Sequence, residues 1–187
     1  METKEQIIEA GNNLLIERGF NAFSYKHISE KINIKSSSIH YHFPTKTDLG
    51  IAIIKKHLDA LENTIEKNKN KSPIEKIDKL FLYYKRLAYN DKVCIVGAMS
   101  SDIKTLEEPL RLELLSFSNA VVRWTSTILQ EGIEQNIFKP LANIDLNAKL
   151  LISNLMSLVQ ISRIENDKKT FDSAVQLLSN NSLKNNS

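Results

Sequence analysis

The chain is short of several features that would each have pointed elsewhere. Its 187 residues include one cysteine, Cys94, so no internal disulfide framework can form, and a reducing, cytoplasmic setting is expected. The five glycines are scattered, and none builds a Gly-rich phosphate loop. No apolar run approaches the length of a membrane span. The first six residues, Met-Glu-Thr-Lys-Glu-Gln, lack the basic-then-apolar pattern of a secretory signal. Bulk charge is slight: a formal +3 does not by itself announce a nucleic-acid partner. No nucleophile–base arrangement and no supported carboxylate pair stand out, so an enzyme is not expected. His40 and His42, two apart on a helix, point to different sides with no Cys or acidic cluster beside them. Neither a metal nor a cofactor is expected.

What remains is a helical chain. Hydrophobic residues at 42% suffice for a real core, and 25% charged residues mark a soluble protein. Strand-like alternation is absent, and helical periodicity runs throughout. A first helix is predicted over about 3–18, with Ile7, Ile8, Gly11, Leu14 and Leu15 on one face and Gly19 as its stop. A long helix follows at about 46–68, with Ile51, Ile54, Leu58, Leu61 and Ile65 as its buried stripe. Pro73 opens the next, to about Tyr89, carrying Ile74, Ile77, Leu80, Phe81, Tyr84 and Leu87. Residues 93–101 read as a loop-rich segment. Three helices then complete the chain, at about 109–136, 145–164 and 168–178. The polar tail 179–187 reads as disordered.

Between the first and the long helix lies the most informative segment, residues 23–46. Ser24 suits an N-cap, and Tyr25, Ile28 and Ile32 give a short helix an inward face. Asn33 falls where the chain must reverse, and Asn tolerates a left-handed backbone better than most residues. Ser36 suits the N-cap of a second short helix, which ends by Phe43 because Pro44 disfavours an α conformation before it. Ile39 and Phe43 make that helix's buried face. Around them stand Ser36, Ser37, Ser38, His40, Tyr41 and His42, groups that suit base edges and phosphates. Over residues 24–46, Lys26, Lys31, Lys35 and Lys46 against Glu30 leave +3, equal to the whole formal excess. A helical hairpin with a polar outer face would show the same spacing.

Residues 19–50, from Gly-Phe-Asn-Ala-Phe-Ser-Tyr-Lys-His-Ile through Ser-Ile-His-Tyr-His-Phe-Pro-Thr-Lys-Thr-Asp-Leu-Gly, resemble the DNA-binding domain of TetR/AcrR-family repressors. The Tyr-His-Phe-Pro-x-Lys-x-x-Leu run from Tyr41 to Leu49 carries most of the resemblance, which reaches back to about Thr3. Asn33 stands where that family usually has Gly, Ser29 where it has Ala, and His27 in place of a more usual acidic residue. The resemblance implies an all-α fold: a three-helix helix-turn-helix domain over 1–48, then a helical effector-binding and dimerisation domain over 49–178. It implies a homodimeric repressor on a near-palindromic operator of double-stranded DNA. Recognition helices would enter major grooves about 34–36 Å apart. An all-helical carrier or interaction protein that has lost DNA binding is the rival reading.

For DNA the nominated residues are Ser24, Tyr25, Lys26, Lys35, Ser36, Ser37, Ser38, His40, Tyr41, His42 and Lys46. Tyr41, His42 and Lys46 are the expected phosphate anchors; Lys35, Ser37, Ser38 and His40 are the expected base-proximal set. Residues 145–164 are apolar over most of the helix circumference and, with Phe171, Ala174, Val175 and Leu178, nominate a two-fold interface. The resemblance agrees, since relatives of this kind dimerise through their last two long helices. It also implies an effector cavity in the C-terminal bundle, with Phe81, Tyr84, Cys94, Met99, Phe117, Val121, Trp124 and Met156 as its expected walls. The stretch from Cys94 to Gly97 resembles a Cys-x-x-Gly subgroup in which some members sense electrophiles, and Lys92 is expected to favour the thiolate. A buried structural cysteine is the alternative.

Overall fold

The structure is a computed structural model that describes residues 2–180. Among these residues there are nine helices and no strand: α1 (Thr3–Arg18), α2 (Tyr25–Ile32), α3 (Ser36–His42), α4 (Lys46–Asn68), α5 (Pro73–Tyr89), α6 (Ile95–Ser100), α7 (Glu108–Glu134), α8 (Ile144–Glu165) and α9 (Lys168–Leu178). No helix among them is long and apolar enough to cross a membrane. Most of the expected tail lies outside the described residues.

How the helices stop explains how a chain with so few glycines folds this way. Four of them end on a residue in the left-handed region, and none of the four is glycine: Asn33, Asp91, Asn136 and Asn166 have φ between 51° and 56°. Each is followed by the same bond, running from the next N–H back to the carbonyl five residues earlier. The pairs are Ile34 to Ser29, Lys92 to Leu87, Ile137 to Gly132 and Asp167 to Ser162. This is the Schellman closure, in which Asn and Asp accept a backbone that other L-residues avoid. Starts are capped just as locally. The Ser72 hydroxyl accepts from the Glu75 N–H while the Glu75 carboxylate accepts from the Ser72 N–H, with Pro73 at the first helical position. At α4, the Thr45 N–H and hydroxyl donate to Asp48 at 2.9 and 2.7 Å, and the Asp48 N–H returns a bond to the Thr45 hydroxyl.

The helices pack as two compact units. One takes the chain through Leu61 together with Cys94–Ser118; the other takes Glu62–Val93 and the chain from Asn119 onward. α6 and the first part of α7 thus group with the N-terminal helices in the first unit. In the first unit α1 lies against α2, α3 and α6. Its core holds Ile7, Leu15, Ile28, Ile39, Leu49, Ile53 and Ile54, all fully buried. In the second unit α5, α8 and α9 pack on one another. The Lys76 ammonium, buried on α5, meets the Glu131 carboxylate of α7 at 2.6 Å, and Lys85 and Tyr89 both bond Asp172 of α9.

Three expectations are corrected. Residues 95–100 form helix α6 rather than loop, started by Cys94, whose sulfur accepts from the Gly97 N–H at 3.3 Å. The buried stripe of α4 is Leu49, Ile53 and Ile54, while Ile51, Leu58, Leu61 and Ile65 are only half-buried. Gly11 accounts for the shift: a Cβ there would sit 3.2 Å from both Ile53 and Leu49, so α1 lets exactly that face of α4 approach. Ile74, expected in the core, is exposed.

Candidate nucleic-acid interface

The helix-turn-helix is assembled from α2, the turn Asn33–Lys35 and α3. Asn33 takes the left-handed conformation expected of it, φ 54° and ψ 50°. Replacing it with Gly should raise stability by up to about 1 kcal/mol, because a non-glycine residue in this region carries a steric penalty of about that size. Asn33→Val should lower stability by more than that, and thermal melts of the two variants check the sign. Lys35, not Ser36, is the N-cap of α3, and Ser36 is its first helical residue. At α2, His27 does the work of an acidic capping partner: its Nδ1 accepts the Ser24 N–H at 3.1 Å and lies 3.4 Å from the Ser24 hydroxyl.

The nominated DNA residues divide into those built into the domain and those that face outward. Tyr25 is of the first kind. Its hydroxyl reaches the carbonyls of Phe43 at 2.8 Å and Thr45 at 2.5 Å, tying α2 to the end of α3. Burial, with the Asp48 charge adding to it, pushes the phenol up to about 12, so it stays a donor. His40, expected near bases, sets its ring edge-on to Tyr25 at 4.8 Å, with Nδ1 3.4 Å from the Pro44 carbonyl. Lys46, expected on phosphate, turns inward. Its ammonium donates to the carbonyls of Phe20 and Phe23 and lies over both rings, 4.6 and 4.3 Å from their centroids. Burial lowers its pKa, and the Asp102 charge opposes that. The sequence signals a lysine at this position but not that the preceding loop offers it two carbonyls.

Outward stand Ser24, Lys26, Lys35, Ser36, Ser37, Tyr41 and, beside its ring contact with Tyr25, also His40, with Ser38 and His42 half-buried between them. Tyr41 is 84% exposed, the greatest exposure of any large hydrophobic side chain on α1, α2 or α3, and its ring lies edge-on to His42 at 5.1 Å. Ile39 and Phe43 lie on the opposite side of α3, buried as expected. α3 thus presents hydroxyls and a phenol, with Lys35 at its N-cap and Lys26 on α2 beside them, a donor set matched to phosphates and base edges.

The eight nominated effector residues are divided between the two units. Cys94, Met99 and Phe117 belong to the first unit; Phe81, Tyr84, Val121, Trp124 and Met156 belong to the second. Six are buried, and Val121 and Met156 are half-buried. Phe117 meets a residue missed from the sequence, His57, edge-on at 6.0 Å. His57 Nε2 lies 2.8 Å from the Asn12 side-chain oxygen, and burial first, then Lys56, lowers its pKa. An open cleft of about 510 Å³ in the second unit is lined by Ser126, Thr127, Gln130, Glu131 and residues 141–145, none of them nominated.

At Cys94, burial pushes the thiol up, ahead of the lowering by the backbone N–H groups of Gly97 and Val96. The thiolate-favouring effect expected of Lys92 does not prevail. N-ethylmaleimide should accordingly label the folded protein at least about tenfold more slowly than the urea-unfolded chain. Wild type and Cys94→Ser should leave DNA equally under that reagent, as followed by gel shift.

Comparison with known proteins bears on this geometry directly. A family model described as "Bacterial regulatory proteins, tetR family" matches residues 7–53, and one described as "Tetracyclin repressor-like, C-terminal domain" matches residues 73–178. The chain is 21% identical over 171 residues to the HTH-type transcriptional repressor DhaR of Mycobacterium sp. (strain GP1), covering 90% of this chain and 86% of that one. It is 34% identical over 80 residues to the biofilm operon icaADBC negative transcriptional regulator IcaR of Staphylococcus aureus, covering 43% of this chain and 42% of IcaR. Among solved structures, a TetR transcriptional regulator from Legionella pneumophila superposes with a TM-score of 0.87 at 30% identity, over 97% of this chain and 98% of that one.

Proposed function

This chain belongs to the TetR family of bacterial transcriptional regulators, and from that premise we propose that it is a homodimeric repressor that leaves a near-palindromic operator when a small molecule binds its C-terminal domain. The observation that carries the DNA half is the division of labour just described. Tyr25 and Lys46 hold the helix-turn-helix in shape, leaving Lys35, Ser36, Ser37, His40 and Tyr41 of α3 and its turn to meet DNA. Lys26 and Ser24 reach the flanking phosphates. Repression, rather than activation, follows the named action of DhaR and IcaR.

Dimerisation is supported by the surface of the last two helices. On α8, Leu146, Leu150, Ile161 and Ile164 are exposed at helical spacing, Ile164 to 85%, with Ser153, Asn154 and Ser157 between them. Leu177 adds to this on α9. Apolar side chains aligned on one face are stabilised by a second copy about a two-fold axis, and small residues between them permit close approach. Two recognition helices one DNA turn apart then follow from the same axis.

The test is a gel shift on the DNA upstream of the protein's own coding sequence, titrated with salt, beside sedimentation of the protein alone. Binding that weakens steeply as salt rises, from a species of twice the chain mass, is the expected result. Leu150→Glu combined with Ile164→Glu should sediment as a monomer and bind the same DNA at least about tenfold more weakly, since each half-site then binds alone. Absence of binding at low salt would overturn the repressor reading; a monomeric wild type would overturn the dimer.

A further inference from the structure

Between α1 and Ser24, the N-cap of α2, the five residues Gly19–Phe23 make no helix, yet four of their polar groups have partners supplied from elsewhere in the first unit. From one side the Lys46 ammonium of α4 takes the carbonyls of Phe20 and Phe23. From the other, the turn that follows α6 takes Asn21. The Asn21 N–H donates to Asp102 Oδ2 at 3.0 Å, and the Asn21 side-chain amide donates to the Thr105 hydroxyl at 2.7 Å. These bonds span 81 and 84 residues of sequence.

The turn is built to receive them. The Thr105 hydroxyl donates to the Asp102 carbonyl at 2.8 Å, which leaves its lone pairs for Asn21. The Thr105 N–H bonds the same carbonyl, and the Asp102 N–H bonds Met99, a fully buried residue of α6, so the carboxylate stands on a fixed base. Gly19, at φ +88°, runs close beside it: a Cβ there would lie 3.5 Å from Asp102 Oδ2. Phe20 and Phe23 are buried on either side of Asn21, their rings edge-on at 6.0 Å.

We propose that Asp102, assisted by Thr105, is a positioning residue for DNA reading: through Asn21 it fixes the Gly19–Phe23 loop, and so the entry of α2 and the setting of α3 behind it. The inference rests on the DNA-binding reading above. Ser24, the N-cap of α2, follows the loop directly, so a loop free to move carries α2 with it. Asn21 is exposed, and an exposed hydrogen bond contributes little to global stability while the buried rings hold the fold. Charge makes the argument sharper. Removing a carboxylate leaves the protein more positive, which on electrostatic grounds alone strengthens DNA binding. A loss of affinity in Asp102→Ala therefore reports geometry.

The experiment measures operator affinity by fluorescence anisotropy for Asp102→Ala, Asn21→Ala, their double variant, Asp102→Asn and the charge control Glu107→Gln. Amide hydrogen exchange is followed across residues 19–34. Asp102→Ala and Asn21→Ala should each weaken binding about fivefold, the size of one hydrogen bond. The double variant should be no weaker than either, Asp102→Asn should recover most of the affinity through its remaining carbonyl oxygen, and Glu107→Gln should not weaken binding. Exchange at Asn21 and through α2 should quicken in Asp102→Ala. Wild-type affinity in Asp102→Ala, losses that multiply in the double variant, or unchanged exchange would each overturn the proposal. If wild type binds no DNA, the repressor reading fails on that control, whereas exchange alone still decides whether Asp102 holds the loop.

Discussion

Gly132→Ala should destabilise the protein by about 3 kcal/mol, although alanine is the better helix former by about 1 kcal/mol. Gly132 lies in the last turns of α7, where its carbonyl accepts from both Ile137 and Phe138, at 2.8 and 3.0 Å. Asn136, left-handed at φ 56°, turns the chain so that the Phe138 side chain folds back over the glycine. A Cβ on residue 132 would stand 2.0 Å from Phe138 Cδ2, 2.4 Å from Cε2 and 2.7 Å from Cγ. The last of these is the root of the ring, so no rotation about the ring axis clears the methyl. Either Phe138 leaves a site where it is 3% exposed, or the closure of α7 opens. Loss of a buried phenylalanine costs about 3–5 kcal/mol, offset in part by helix propensity. For a chain of this size the melting temperature should fall by about 10 °C. Gly50 is the internal comparison. A Cβ there meets the ends of Leu110 and Phe20 at 2.9 Å, tips that can rotate away, so Gly50→Ala should cost about 1 kcal/mol. Equal melting of Gly132→Ala and wild type would show that Phe138 does not sit on α7 in solution.

The same contrast separates what the sequence makes legible from what it hides. Bounds of α1, α4, α5 and α9 could be read within a residue, because their starts and stops are local: Gly19 after Arg18, Thr45 with Asp48, Ser72-Pro73 with Glu75, Asp167 before Lys168. The turn at Asn33 was legible for the same reason, since a left-handed position selects among few residue types. Helix α6 was not. It is six residues long, it is opened by a cysteine whose sulfur substitutes for a capping oxygen, and a run that short shows no periodicity. Nor was the inward turn of Lys46, the pairing of Asn21 with Asp102, or the shift of the α4 stripe to Leu49 and Ile53. Each depends on what another helix brings to the same place, which a single sequence leaves unstated. At the DNA face, residue types were legible and their assignment to inside or outside was not. Tyr25 and Lys46 share a chemistry with Tyr41 and Lys35, and only packing distinguishes them.

Ser37→Glu should reduce operator affinity at least about 100-fold while leaving the fold as stable as before, or slightly more so. Ser37 is exposed in the first turn of α3, and its side chain makes no contact that the core depends on. A carboxylate in a helix's first turn is favourable by about 0.3–1 kcal/mol, because unpaired N–H groups leave partial positive charge there. If α3 enters the groove as proposed, the same carboxylate meets the field of the phosphates, where like charges brought together cost about 3 kcal/mol, a factor of about 100. Stability and function thus move in opposite directions, which excludes unfolding as the cause of any loss. Ser37→Gln, of the same size without the charge, should keep affinity within about tenfold of wild type, the range of one lost groove contact. Salt supplies a third handle: added salt screens the repulsion, so the gap between Glu and Gln variants should narrow as ionic strength rises. If Ser37→Glu binds as wild type does, α3 does not enter the groove by this face. In that case the inward-held Tyr25 and Lys46 would have to be released on binding, and the head would be a domain that rearranges on DNA instead of one built in advance to read it.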